Sequence, residues 1–285
     1  MKSHTECLAC LSKNAVDIAK MIGGDEAEQQ EVVRRGMMAL AGCNMALPPP
    51  FHLHEIWDAA MEITGGRCPD PYRPQKEASI KLAMELAAHL DGIPQYNPAS
   101  FESRLRLATA GNVLDFGIYS DLRLDSAMKI ISDSFSRKID LAALARLEER
   151  VSSAKSIFYL LDNCGEAIFD RIFMEPFLDK VTFGVRGAFT LNDMTRAELG
   201  ESGFDGCRVV DNGSNIPGTV LECCSEEFKA AIDDAELVIA KGQGNFETLS
   251  DTSKPAAMLF MAKCPVVCRE IGAEQNTVQI KLMNF

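Results

Sequence analysis

Positive charge is scarce in this chain: 29 lysines and arginines stand against 41 aspartates and glutamates, a net charge of −12. With a pI of about 4.9, that balance argues against a nucleic-acid groove or an anionic membrane surface as the main partner, since both demand clustered cations. Apolar runs of membrane-spanning length are also missing; a span needs about 20 consecutive apolar residues. The amino terminus shows no basic segment followed by a hydrophobic core, the mark of a secretory leader. A soluble, cytoplasmic protein is the expectation. No repeat, low-complexity run or long Gly/Ser linker occurs. Cysteine is plentiful at ten residues, yet no second close pair matches Cys7 and Cys10, so no zinc-ribbon pattern can be written.

Against these absences, 47% of the 285 residues are hydrophobic, enough for one large domain or one domain with an appendage. Apolar residues recur at helical spacing over 13–22, 26–40, 51–64, 75–90 and 100–110, broken by Gly23-Gly24, Pro48-Pro49-Pro50 and Pro94. The spacing predicts a mainly helical region over 1–110 that walls a pocket or covers its mouth. Asp70-Pro71-Tyr72 lies between two of these helices, with Lys76 just beyond. Residues 124–136 and 141–152 predict a further helical pair, leading into an α/β region over 111–285. His52 and His54, beside Pro50, are expected on a surface turn.

The stretch Ile157-Phe158-Tyr159-Leu160-Leu161 is an apolar run of strand length that ends in Asp162-Asn163-Cys164-Gly165-Glu166. The same device recurs. A β-rich run from Val181 to Arg186-Gly187 precedes Asn192-Asp193 and a helical pattern from Met194. Cys207-Arg208-Val209-Val210 precedes Asp211-Asn212-Gly213, whose Asn-Gly is a turn signal. Leu237-Val238-Ile239-Ala240 precedes Lys241-Gly242-Gln243-Gly244-Asn245, and Ala257-Met258-Leu259-Phe260-Met261 precedes Lys263-Cys264-Pro265. Strands alternating with helix-length segments such as 226–235 predict an α/β fold with a mostly parallel, doubly wound, Rossmann-like sheet. Its strands would present their carboxyl ends on one edge, where Asp162, Asn163, Asp193, Lys241, Asn245 and Lys263 can converge. Asp162 and Asn163 are hard oxygen donors suited to magnesium or manganese and, less selectively, cobalt or nickel. They are equally good at capping the next helix. Lys241 and Lys263 have a solvated reading beside the pocket one, and Asn112, after Gly111, reads on its own as a turn residue.

Taken in order, five motifs resemble those of the metal-dependent damage-control phosphatases. They are Ala110-Gly111-Asn112 with Asp115-Phe116-Gly117; Asp162-Asn163-Cys164-Gly165-Glu166; Arg186-Gly187 with Asn192-Asp193-Met194-Thr195; Lys241-Gly242-Gln243-Gly244-Asn245-Phe246-Glu247; and Ala262-Lys263-Cys264-Pro265. Cys7-Leu8-Ala9-Cys10 resembles the cysteine pair of that family's stand-alone, largely prokaryotic branch. The resemblance implies an α/β core with a helical region, and removal of phosphate from small phosphometabolites, sugar phosphates among them. It implies that Asp162, Asn163 and Asp193 hold the divalent metal ion, that Glu166 contacts substrate, and that Lys241 and Lys263 approach the phosphoryl group. Asn245 and Asn112 fall on pocket positions.

Phosphoryl transfer asks for positioning and charge neutralisation more than covalent chemistry, which a cation and two ammonium groups can supply. The attacking group is expected to be water, with Asp162 as the alternative nucleophile. Two rival functions are compatible with parts of the chain. A methyltransferase or nucleotide-binding enzyme would use Gly242-Gln243-Gly244 with Glu247 as a cofactor loop, although the third glycine of the dinucleotide spacing is absent. A thiol or metal sensor would centre on Cys7 and Cys10, one helical turn apart.

Overall fold

A computed structural model describes residues 1–68, 70–113 and 124–285 of the chain. The expected motif Asp115-Phe116-Gly117 lies outside the described residues. Three helices, α1 (Thr5–Ile22), α2 (Glu26–Ala41) and α3 (Pro49–Thr64), pack on one another. Their apolar faces share a core of their own, built on Leu11, Ala15, Ile18, Val32, Ile56 and Trp57. The proline triplet begins α3 rather than ending a turn, because proline at a first helical position has no amide left to satisfy. His52 is therefore a buried helical residue and His54 a partly buried one, not members of a surface turn.

Helices α4 (Arg73–Ala87) and α5 (Phe101–Val113) lie against α8 (Cys164–Met174). The expected boundary near residue 110 falls inside α5, whose Phe101, Leu105 and Ala108 belong to the core of the sheet. Asn112 is accordingly a buried helical residue and not a turn, since α5 runs on through it. Helices α6 (Leu124–Ser134) and α7 (Leu141–Ser153) complete the approach to the sheet.

The sheet comprises β1 (Ile157–Leu160), β2 (Val181–Val185), β3 (Arg208–Asp211), β4 (Leu237–Lys241), β5 (Ala256–Ala262) and β6 (Thr277–Met283), in the spatial order β3-β2-β1-β4-β5-β6. The first five run parallel and β6 antiparallel to β5. That last strand is not marked in the sequence, because its Gln279 and Lys281 interrupt the apolar run that marks the inner strands. Central strands are continuous apolar runs because both faces are covered. Ile157, Tyr159, Phe183, Leu237 and Ile239 join the core under α5, α7 and α8. Phe158, Leu160, Val238, Ala240, Met258 and Phe260 join the opposite one, under α9 (Glu226–Asp234), α10 (Gln243–Leu249) and α11 (Pro265–Ile271). The helix expected from Met194 is a single 3-10 turn at Arg196–Glu198, begun by a capping box in which the Thr195 N–H donates to Glu198. No helix among the described residues is long and apolar enough to cross a membrane.

From β1 the chain steps outward to β2 and β3, then returns to place β4 on the other side of β1. Between β1 and β4 the strand order reverses, so loops leaving the two carboxyl ends diverge, the arrangement that opens a crevice in sheets of this kind.

Candidate active site

Asp162 and Asn163 leave β1 at this crevice, and Asn163 is the N-cap of α8. In this capping position the Asn163 backbone N–H donates to Glu166 Oε1 at 3.4 Å, while its side-chain amide donates to Asp162 Oδ2 at 3.2 Å. Backbone ties draw in Asp193. The Met194 N–H donates to the Asp162 carbonyl at 2.7 Å and the Cys164 N–H to that of Asn192 at 3.0 Å. Asn163 and Asp193 thus form a short antiparallel bridge that sets their side chains close together.

Arg186, one residue past β2, is fully buried among these groups. Its Nε donates to Asp193 Oδ2 at 2.7 Å, and its terminal nitrogens lie 3.4 Å from Thr219 Oγ1, 3.3 Å from Asn245 Oδ1 and 3.9 Å from Asp162 Oδ1. Asn245, also buried, donates to the Lys241 carbonyl at 2.7 Å. Arg186 lies within a sequence motif that by itself assigns it no role. A cation directly after an apolar strand, at the same edge as Lys241, was the available signal.

Lys241 is fully buried behind the Asp162 pair. Its ammonium bonds Asp170, donates to the Ala108 carbonyl at 3.1 Å and lies 3.9 Å from Glu166. Tyr159 donates to the same Asp170 oxygen at 2.8 Å. Asp170 was given no role in the sequence, yet it stands four residues after Glu166 and hence on the same face of α8. Glu166 is itself buried, and its Oε2 accepts from Asn112 Nδ2 at 2.8 Å; Asn112 Oδ1 accepts the Met261 N–H at 3.0 Å. The side chains of Asp162, Asn163, Asp193, Glu166, Lys241, Asn245 and Asn112 therefore form one connected group. Lys263 is exposed, and its backbone N–H is bonded to Gln243 Oε1 at 3.1 Å.

Burial, then repulsion from Asp193 and Glu166, pushes the Asp162 carboxyl well above the ordinary carboxylate range. Burial also raises Asp193, although Arg186 pulls it back. Asp170 is pushed up to about 7 by burial against the pull of Lys241. Burial opposes the charge on Lys241, but Asp170, Glu166 and Asp162 outweigh it and hold its pKa above the usual value. Four carboxyl groups, Asp162, Glu166, Asp170 and Asp193, thus stand against two basic side chains, Arg186 and Lys241, an acidic excess that a cation would relieve.

Among the described residues no group of three or more His, Cys, Asp or Glu is placed to hold a metal. The donor set here is different, two carboxylates and the Asn163 amide, a hard all-oxygen set that suits a hard divalent cation. Gly242, at φ +82°, faces it; a Cβ there would fall 1.9 Å from Asp162 Oδ2, so the carboxylate occupies space that only glycine leaves open. Cys7 and Cys10 are free thiols, the first buried and the second exposed. Burial raises the Cys7 thiol, the opposite of an activated thiolate.

The model of the damage-control phosphatase ARMT1-like domain matches residues 3–278 of the chain. An uncharacterised protein of Methanocaldococcus jannaschii is 33% identical over 290 residues, covering 96% of this chain and 93% of that protein. A damage-control phosphatase of Pyrococcus horikoshii is 32% identical, covering 98% and 97%, and one of Archaeoglobus fulgidus 28% identical, covering 99% and 100%. Among solved structures, a crystal structure of a DUF89 family protein from Pyrococcus horikoshii superposes over 100% of both chains with a TM-score of 0.90 and 29% identity.

Proposed function

We propose that this chain, which belongs to the damage-control phosphatase ARMT1-like family, hydrolyses a small phosphorylated metabolite with the help of one divalent cation. One observation carries the reading: the bridge between Asn163 and Asp193 that sets donors from the end of β1 beside a carboxylate from the loop after β2. Asp162, Asn163 and Asp193 would hold manganese, magnesium, cobalt or nickel, which when bound supplies positive charge to the phosphoryl oxygens and acidifies water. Arg186 occupies Asp193 Oδ2 and so leaves the other oxygen of that carboxylate for a ligand. Lys241, held in place by Asp170, lies beneath Glu166 and Asp162 and offsets their negative charge. Lys263, at the exposed end of the same sheet edge, is read as the residue that meets the arriving phosphate. Water attacks phosphorus in line in this scheme. Rapid-quench trapping with labelled ester decides between water and Asp162, since a stable aspartyl-phosphate would mean the latter.

The substrate is read as a sugar phosphate or a damaged phosphometabolite, because the polar groups around the crevice suit a small, hydroxyl-rich ester. A screen of such esters against the four ions, with wild type and Asp193→Asn, tests the reading. Phosphate release by the wild type, abolished by chelator and reduced about 100-fold or more in the variant, is expected. Turnover of no ester with any ion would defeat it.

A further inference from the structure

Asp70, Tyr72 and Lys76 stand out in the sequence and take no part in the reaction above, yet the structure joins them to the cation site. Asp70 Oδ1 accepts the Tyr72 N–H at 3.2 Å, forming the turn that begins α4, and its Oδ2 accepts from Lys76 Nζ at 3.2 Å. Lys76 is fully buried. On its far side the ammonium lies 3.4 Å from Glu198 Oε1 and 4.9 Å from the centre of the Phe189 ring. The other oxygen of the buried Glu198 accepts both the Thr195 N–H at 3.0 Å and the Thr195 hydroxyl at 2.7 Å. Thr195 follows Met194, whose N–H bonds the Asp162 carbonyl, and Asp193 precedes them both. A continuous line of buried polar contacts thus runs from the first turn of α4 to the loop that carries Asp193.

That loop needs an external hold. Leu191, two residues before Asp193, stands at φ +46°, a backbone conformation costly for a residue other than glycine. Such conformations persist only when the surroundings over-determine them. We propose that Lys76 is a positioning residue that clamps the Asp193 loop through Glu198 and Thr195, so that the helical region completes the cation site. The proposal rests on the reading of Asp162, Asn163 and Asp193 as cation ligands.

Charge and clamping make opposite predictions, which makes the proposal testable. An ammonium near a cation site repels the cation, and its charge is felt at Asp193; by charge alone, Lys76→Met would bind manganese more tightly. Loss of the clamp would loosen Asp193 and weaken binding, as loss of outer support for a metal ligand does, by about 10-fold or more. Calorimetric titration of the metal-free protein with manganese separates the two. About tenfold weaker binding by Lys76→Met, with Lys76→Arg close to wild type, is expected. Because Lys76→Met leaves Glu198 with less compensation, the double variant Lys76→Met with Glu198→Gln serves as the folding-safe form, checked by its thermal unfolding without metal. It too should bind weakly. Wild-type binding with equal or tighter binding by the variants overturns the clamp alone; no manganese binding by the wild type overturns the ligand reading beneath it.

Discussion

Gly242 and Asp162 occupy space that an added methyl group would contest. Gly242→Ala would bring a Cβ to 1.9 Å from Asp162 Oδ2 while holding alanine at φ +82°. The expected outcome is a folded protein, less stable by about 1–3 kcal/mol, whose phosphatase activity is lost because Asp162 is displaced; urea unfolding and phosphate release check the two parts. Glu247 offers a pH test. Buried, and only partly relieved by its bond from Gln243, its carboxyl is pushed from 4.5 to about 7. The folded chain keeps this proton where the unfolded chain loses it, so the stability it provides is complete below about pH 4.5 and lost as pH rises through 7. Glu247→Gln cannot lose that proton. Its stability relative to wild type should rise by up to about 3 kcal/mol between pH 4 and pH 8, measured by denaturant unfolding at both; an unchanged difference would show that Glu247 does not titrate this way. The residues that sequence could nominate, Asp162, Asn163 and Asp193, were visible because polar oxygen donors follow apolar strands. Arg186 and Asp170 carry weaker signals, a cation after a strand and a carboxyl one turn past Glu166, because their importance comes from what they touch.

Among the elements, α8 has the most demanding neighbours. It packs on α5 closely enough that a Cβ at Gly111 would meet the Phe169 ring and Glu166 Cβ at 2.9 Å and Glu166 Cα at 3.1 Å. In an open helix, Gly→Ala gains up to about 1 kcal/mol. Here overpacking costs about 1–3 kcal/mol and should win, so Gly111→Ala is expected to lower the urea midpoint and shift Glu166; a raised midpoint would contradict the packing. Most helices and the inner strands were legible from periodicity alone, to within a few residues at their ends. Several features were not, and three of them share a cause. The proline triplet reads equally as a break or a beginning, Asn112 after a glycine reads as a turn, and β6 mixes polar with apolar positions as edge strands do. In each case the deciding factor is a neighbour: the α1–α3 core, the α8 face, the β5 edge.

For the whole molecule, a net charge of −12 opposes the approach of a phosphate ester. Screening this field with salt should raise kcat/KM, since the Debye length falls to about 8 Å at 0.15 M ionic strength while the buried site charges are little screened. Stopped assays across a sodium chloride series check it, and a fall in kcat/KM from the lowest salt would mean that the cations of the crevice dominate the approach. The sequence by itself determined the α/β class, the parallel strand runs, the acidic surface and the oxygen donors at the strand ends, because periodicity, composition and residue chemistry are local properties. Only the tertiary structure decided that Arg186 sits against Asp193, that Lys241 is held behind Asp162 by Asp170, and that Lys76 reaches the Asp193 loop from α4. The last two pairings join residues far apart along the chain and the first closes a loop between Arg186 and Asp193, and burial makes each depend on the charge opposite it, which no stretch of sequence carries.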